Sequence, residues 1–161
     1  MMTHKDSFEP EVNNVINLIS KNKFKDAFDA VVKVEYKFPS EPLILNIKGA
    51  CLEGMGLLDE AVKFYNDAIS IDPNYSKAHY NLGRVLHEMG KLENAVQSYK
   101  NSLDIDSDFS EAHNNLGNLL REMEQPDEAI ASFKKAIKIR PDYVEALFSL
   151  SMIYQDLGLS D

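Results

Sequence analysis

A period of 34 residues runs through the chain and constrains its fold before any other feature does. Gly49, Gly83 and Gly117 are spaced 34 apart, and Ser151 takes the next step. Ala61, Ala95 and Ala129 keep the interval, with Ala27 one step earlier. Tyr65, Tyr99 and Phe133 form a third register, and Ala68, Ser102 and Ala136 a fourth. Pro39, Pro73 and Pro141 share a fifth, in which Ser107 stands for proline. The stretch SKAHYNLGRVLHEMGKLENAV returns as SEAHNNLGNLLREMEQPDEAI. A repeat of this length is one supersecondary unit that cannot bury its apolar face alone, so copies must stack.

Each period reads as two helices. Ala78, Leu82, Gly83, Val85, Leu86 and Met89 recur with a helical spacing, which predicts a first helix, A, over about 76–89. Gly90 ends it, as a residue able to take positive φ. Leu92, Ala95, Val96, Tyr99, Ser102, Leu103 and Ile105 predict a second helix, B, over about 92–105. The small Gly83 and Ala95 mark where two backbones approach closely, and Tyr99 fills the space beyond. Glu124 stands where neighbouring copies have Gly90 and Gly158. A positive φ there would cost a non-glycine residue about 1 kcal/mol. Pro126 then opens the next helix, where a missing N–H does no harm.

These residues resemble the tetratricopeptide repeat: a bulky residue, Leu-Gly, then Ala, an aromatic, Ala and Pro. The copies fall at 8–41, 42–75, 76–109 and 110–143, with a half copy at 144–161. The first is degenerate, with Asn14-Val15 in place of Leu-Gly, and Phe24 and Phe28 are expected to compensate by packing. The resemblance implies an all-α fold, a right-handed α-solenoid of antiparallel helix pairs with about nine helices. Residues 1–7 are expected to form a disordered tail and 8–161 a single domain. The end of the chain, at the turn where a fifth helix B should begin, suggests that further sequence follows Asp161.

Composition excludes several classes of function. Lys plus Arg number 17 against 26 Asp plus Glu, a formal charge of -9, so a general nucleic-acid binder is not expected. No stretch approaches the ~20 apolar residues of a membrane span, and no secretory leader opens the chain, so a cytoplasmic location is expected. The single cysteine, Cys51, excludes an internal disulfide. It lies in the inward phase of its helix, which predicts an inert thiol. His79 and His113 share a register that holds Leu45 and Leu147 in other copies, which predicts packing roles. Adjacent repeats sit ~8–10 Å apart, too far for both rings to bind one ion at ~2.0–2.1 Å. No nucleotide loop, nucleophile elbow or H-E-x-x-H occurs. Neither catalytic residues nor cofactors nor metals are expected, and the chain is not expected to be an enzyme.

In the family that the repeats resemble, helices A line a concave groove at the second, fifth, sixth, ninth, twelfth and thirteenth positions. Here these positions supply Lys77, Tyr80, Asn81, Arg84 and His87 from the third copy. The fourth supplies Asn114, Asn115, Asn118 and Arg121, and the half copy Phe148. Asn81 and Asn115 stand one repeat apart, and an amide that donates and accepts can grip a peptide backbone. The pair resembles part of the asparagine ladder of O-linked N-acetylglucosamine transferase repeats, interrupted here at Ile47 and Ser149. Arg84 and Arg121 share a strip that suits a carboxylate or acidic peptide, unless Glu53, Glu88 or Glu122 neutralises it. The lysine at the fifth position that marks a carboxylate clamp for chaperone tails is absent; Asn46, Tyr80, Asn114 and Phe148 occupy it.

The expected function is a protein-interaction scaffold that binds a partner peptide in the groove, with no nucleic acid or membrane as partner. Two alternatives remain open. The repeats could recruit substrate for a glycosyltransferase, sulfotransferase or hydroxylase domain beyond Asp161. Or the half copy, with Leu147, Leu150, Ile153, Tyr154 and Leu157 uncovered, could join copies into a homo-oligomer.

Overall fold

Turns of three or four residues separate consecutive helices, so each helix runs antiparallel to the one before it. The computed structural model describes residues 4–158, and among them there are nine helices and no strand. The A helices are α1 (His4–Ser20), α3 (Pro42–Gly54), α5 (Ser76–Glu88), α7 (Ser110–Glu122) and α9 (Val144–Asp156). The B helices are α2 (Phe24–Lys37), α4 (Leu58–Ile71), α6 (Leu92–Ile105) and α8 (Pro126–Ile139). The architecture is all-α, of the α-solenoid class of antiparallel helix pairs. Of the expected tail, residues 1–3 lie outside the described residues, while α1 begins at His4, ahead of Phe8. His4-Lys5-Asp6-Ser7 contains no Gly or Pro to stop a helix from extending that far.

The chain divides by compactness within α5, between Asn81 and Leu82, and each unit has its own core. In the first unit, α1 packs on α2, α2 on α3 and α3 on α4. A Cβ on Gly49 would lie 2.6 Å from the ring of Tyr65, which is fully buried, so only glycine admits that ring. The degenerate first copy meets the same constraint differently. Val15 and Val31, in the registers of Gly49 and Tyr65, are both fully buried in one cluster. Two medium side chains thus replace one absent and one large. Phe24 does not enter that exchange; its ring sits where a Cβ of Gly54 would be.

In the second unit, α6, α7, α8 and α9 pack in sequence, and α7 also touches α9. The glycine–aromatic pair recurs twice: a Cβ on Gly83 would lie 2.8 Å from Tyr99, and one on Gly117 2.8 Å from Phe133. Ala95, Ala129 and Ala136 are fully buried at the close approaches that their 34-residue registers predict.

The A-to-B turns share one backbone solution. Asn22, Gly56, Gly90, Glu124 and Gly158 all have φ between 56° and 76°. At the end of α7, Gln125 N–H donates to Leu120 O at 2.8 Å and Glu124 N–H to Arg121 O at 3.1 Å. Those two bonds are the Schellman closure that satisfies carbonyls at a helix end. The fourth copy therefore keeps the left-handed turn despite its glutamate.

Candidate functional site

In the first unit the second-position, fifth-position and sixth-position residues of α5 are Lys77, Tyr80 and Asn81. Lys77 is exposed, and Tyr80 and Asn81 are partly buried. Asn81 is committed within the fold: its Nδ2 donates to Oδ1 of Asn46 at 2.9 Å, and Asn46 is itself buried. This amide pair between adjacent A helices is made by the fifth position of one copy and the sixth of the next, and not by the two sixth positions of the expected row. Glu53, from the same helix as Asn46, accepts a hydrogen bond from the Tyr65 hydroxyl at 2.6 Å.

In the second unit the same diagonal brings His87 of α5 to Glu122 of α7, with Nε2 to Oε2 at 2.7 Å. Glu122 was a candidate to neutralise the arginines; it is bound to the histidine instead. Arg84 and Arg121 both lie exposed. Arg121 makes no ion pair among the described residues. Asn114 is buried, donates to Asn115 Oδ1 at 3.4 Å, and leaves its own Oδ1 without a hydrogen bond. Ser149, expected as an interruption, takes part: its hydroxyl donates to Asn118 Oδ1 at 3.3 Å. That bond orients the Asn118 amide, whose Nδ2 makes no hydrogen bond among the described residues. Phe148, beside Ser149 on α9, is 66% exposed. In the second unit Arg121 and Phe148 are thus exposed and Asn118 partly buried, whereas Asn114 is turned into the protein.

The two repeat histidines do more than fill space. His79 Nε2 lies 3.0 Å from Pro73 O, and His113 Nε2 lies 3.0 Å from Ser107 O. Since a carbonyl only accepts, each ring donates from Nε2 and ties the preceding loop to its own helix. Burial pushes the His113 pKa below its ordinary value, and the neighbouring Lys135 adds to that, while the Ser107 carbonyl and Asp108 oppose it. Cys51 is fully buried, in the register of Val85, Leu119 and Ile153, and burial pushes its thiol up to about 11. A thiol held that far from ionisation is a core residue, not a nucleophile. Among the described residues no group of three or more His, Cys, Asp or Glu is placed to hold a metal ion. None of their helices is long and apolar enough to cross a membrane.

Lys48 is the polar residue that sequence reading passed over. It replaces the leucine of Leu-Gly in the second copy and is buried. Its ammonium lies 2.9 and 3.0 Å from the two carboxylate oxygens of Glu35 and 4.4 Å from the centre of the Phe64 ring. The departure from Leu82 and Leu116 in the same register was the available signal.

Comparison with known proteins bears on the fold. A model of the family described as tetratricopeptide repeat matches residues 110–143, and one described as TPR repeat matches 55–90 and 83–124. Together they span 55–143, more than half of the chain. Among solved structures, MamA is 24% identical with a TM-score of 0.78, over 89% of this chain and 84% of that one. PilF of Pseudomonas aeruginosa is 16% identical with a TM-score of 0.89, over 96% and 71%. YrrB, described as a TPR protein with an unusual peptide-binding site, is 21% identical with a TM-score of 0.72, over 89% and 74%. No match is found among curated proteins. Registers, helix pairs and family matches agree, and the chain belongs to the tetratricopeptide repeat family.

Proposed function

We propose that the chain is a protein-interaction scaffold, and that the A-helix face of its second unit holds a partner peptide. The observation that carries this reading is the group Asn118, Arg121 and Phe148. Ser149 holds the Asn118 carbonyl oxygen at 3.3 Å, which leaves the amide N–H as the donor for a peptide carbonyl. Arg121 offers a planar donor fork that fits a carboxylate. Phe148, 66% exposed, offers an apolar contact beside them. Arg84, His87 and Asn115 extend this face, and the ligand is a peptide that carries an acidic side chain. In the first unit, Lys77, Tyr80 and Asn81 are the corresponding contacts. Peptide binding by relatives such as YrrB supports the reading by family likeness. Binding and not catalysis is the work proposed for these residues.

A displayed library of random peptides, selected on the intact chain, tests this. Enriched peptides should contain Asp or Glu, and N118A and R121A should each weaken them about ten-fold, the loss of one good polar contact. Failure to enrich any sequence, or affinities indifferent to both substitutions, would overturn it.

A second reading rests on α9. Of the residues expected to lie uncovered, Leu147 and Leu157 are 43% and 44% exposed, Leu150 and Tyr154 are partly buried, and Ile153 is buried because its phase turns it into the core. With Val144, 70% exposed, the exposed ones leave an apolar surface that a second copy could cover. A mass of one monomer by light scattering at high concentration would exclude it.

A further inference from the structure

The outer side of the second unit carries a hollow that peptide binding on the A helices does not use. Two adjoining cavities, of about 680 and 430 Å³, share Lys100, Leu116, Ala131 and Ser132 in their linings. They form one trough with α6 and α8 as walls and α7 as floor. Its walls are helices of 14 residues each, a length of about 20 Å at 1.5 Å per residue.

The trough is open for a reason that the first unit makes plain. There the corresponding gap, between α2 and α4 over α3, is filled from within. Lys48 rises from α3 between Phe28, 5.9 Å away on α2, and Phe64, 4.4 Å away on α4, and is held by Glu35. In the second unit the register of Lys48 holds Leu116, which gives an apolar floor. The register of Phe64 holds Ser132, whose hydroxyl is spent on Glu128 O at 3.0 Å in its own helix. With Ala131 beside it, the α8 wall lacks any bulk to close the gap.

Charge then selects the occupant. In a chain of net charge -9, the trough is flanked by Lys135 and Lys138 on α8 and Lys100 on α6. None of the three makes an ion pair among the described residues. Asp104 and Asp108 lie on the α6 side near that end, and Glu93 on α6 and Glu128 on α8 line the other, so the basic stretch of the trough is the α8 wall along Lys135 and Lys138. We infer that this trough is a second docking site, for an amphipathic helix of a partner protein whose apolar stripe seats on Leu103, Leu116 and Ile139. Its acidic flank faces Lys135 and Lys138. This is the helix-in-groove mode, with apolar anchors one turn apart and a charged flank that sets direction. It is separate from the A-helix face, so either site can fail without the other.

The test uses a synthetic peptide of about 14 residues, the length of the walls, with leucines at helical spacing and glutamates along one flank. Its binding to the intact chain is followed by fluorescence anisotropy. The peptide should bind, and its affinity should fall with added salt. The exposed-charge variant K135E/K138E should weaken it at least about ten-fold. S132F, which copies Phe64 into the trough, should weaken it without lowering the melting temperature. R121A should leave it unchanged. No binding at millimolar protein, equal binding of a peptide with lysine for every glutamate, indifference to K135E/K138E, or loss with R121A instead would each overturn the assignment.

Discussion

Asn81 donates its Nδ2 proton to Oδ1 of Asn46, thirty-five residues earlier, at 2.9 Å. The bond joins adjacent A helices on the face where asparagines were expected to await a ligand. Asn46 is 7% exposed, so removing its donor strands a buried acceptor. N81A should therefore destabilise the chain by about 1–3 kcal/mol, the penalty of an unsatisfied buried polar group. A urea titration checks this; an unchanged midpoint would mean that the amide is held for binding alone. A loss of peptide affinity in N81A reports stability as well as contact, which is why Asn118 and Arg121 are the better probes of the face.

The pairing of Gly117 with Phe133 and of Val15 with Val31 suggests an exchange between copies. A Cβ at Gly117 would meet the Phe133 ring at 2.8 Å, so G117V should cost about 1–3 kcal/mol through overpacking. F133V alone should cost a little less than the ~3–5 kcal/mol of a Phe→Ala cavity. The double variant copies the first repeat, and the two changes should offset each other by at least about 1 kcal/mol. Strict additivity in a double-mutant cycle would show that the first copy solves its packing by some other route.

How much of this could be read from the sequence follows the period. Registers repeated at 34 residues located the helices, the glycine–aromatic contacts and the left-handed turns, because each is a constraint local to one copy and its neighbour. The degenerate copy was legible as degenerate, but its compensation at Val31 was not, since two valines carry no pattern until they are paired in space. The face of the A helices was legible as a set of positions and not as a set of states. Nothing in the spacing says that Asn81 bonds Asn46, that Glu122 takes His87, or that Asn114 turns inward, because those outcomes depend on rotamers across helices. Lys48 escaped notice because a lysine reads as surface until the register of Leu82 and Leu116 is laid beside it.

Glu35 and Lys48 make a pair whose two members should respond unequally to removal. E35A leaves a buried ammonium without its carboxylate, beside the rings of Phe28 and Phe64. Since Glu35 itself is 32% exposed, the cost should be about 1–3 kcal/mol, below that of a fully buried pair. K48L restores the residue of the other copies and removes the desolvated charge, so it should be neutral or stabilising by about 1 kcal/mol. Adding E35A to K48L should then cost almost nothing. Chemical denaturation of the three variants measures each value, and a K48L variant as unstable as E35A would contradict this account.

Glu124 holds a φ of 57°, in the register where Gly56, Gly90 and Gly158 hold theirs at 66–76°. A left-handed conformation strains any residue with a Cβ, so E124G should stabilise by about 1 kcal/mol, and G90E should cost about as much. The glutamate is exposed, and no contact offsets the change. Thermal unfolding of both variants tests the symmetry; a fall in melting temperature for E124G would overturn it.

His113 gives the fold a dependence on pH. Burial lowers its pKa in the folded state below the ~6.5 of an unfolded histidine. In the window between those values the unfolded chain binds the proton and the folded chain does not, so stability rises with pH there. The contribution is complete above about 6.5 and is lost as pH falls toward the folded-state value. In H113L, with the residue that stands at Leu45 and Leu147, this loss should vanish while the tie to Ser107 O is given up. The wild type should thus be favoured over H113L most at pH 7.5 and less at pH 5, because the other titrating groups cancel in the difference. Urea unfolding at the two pH values measures this. A gap between the variants that does not narrow on acidification would mean that His113 is as easily protonated inside the fold as outside it.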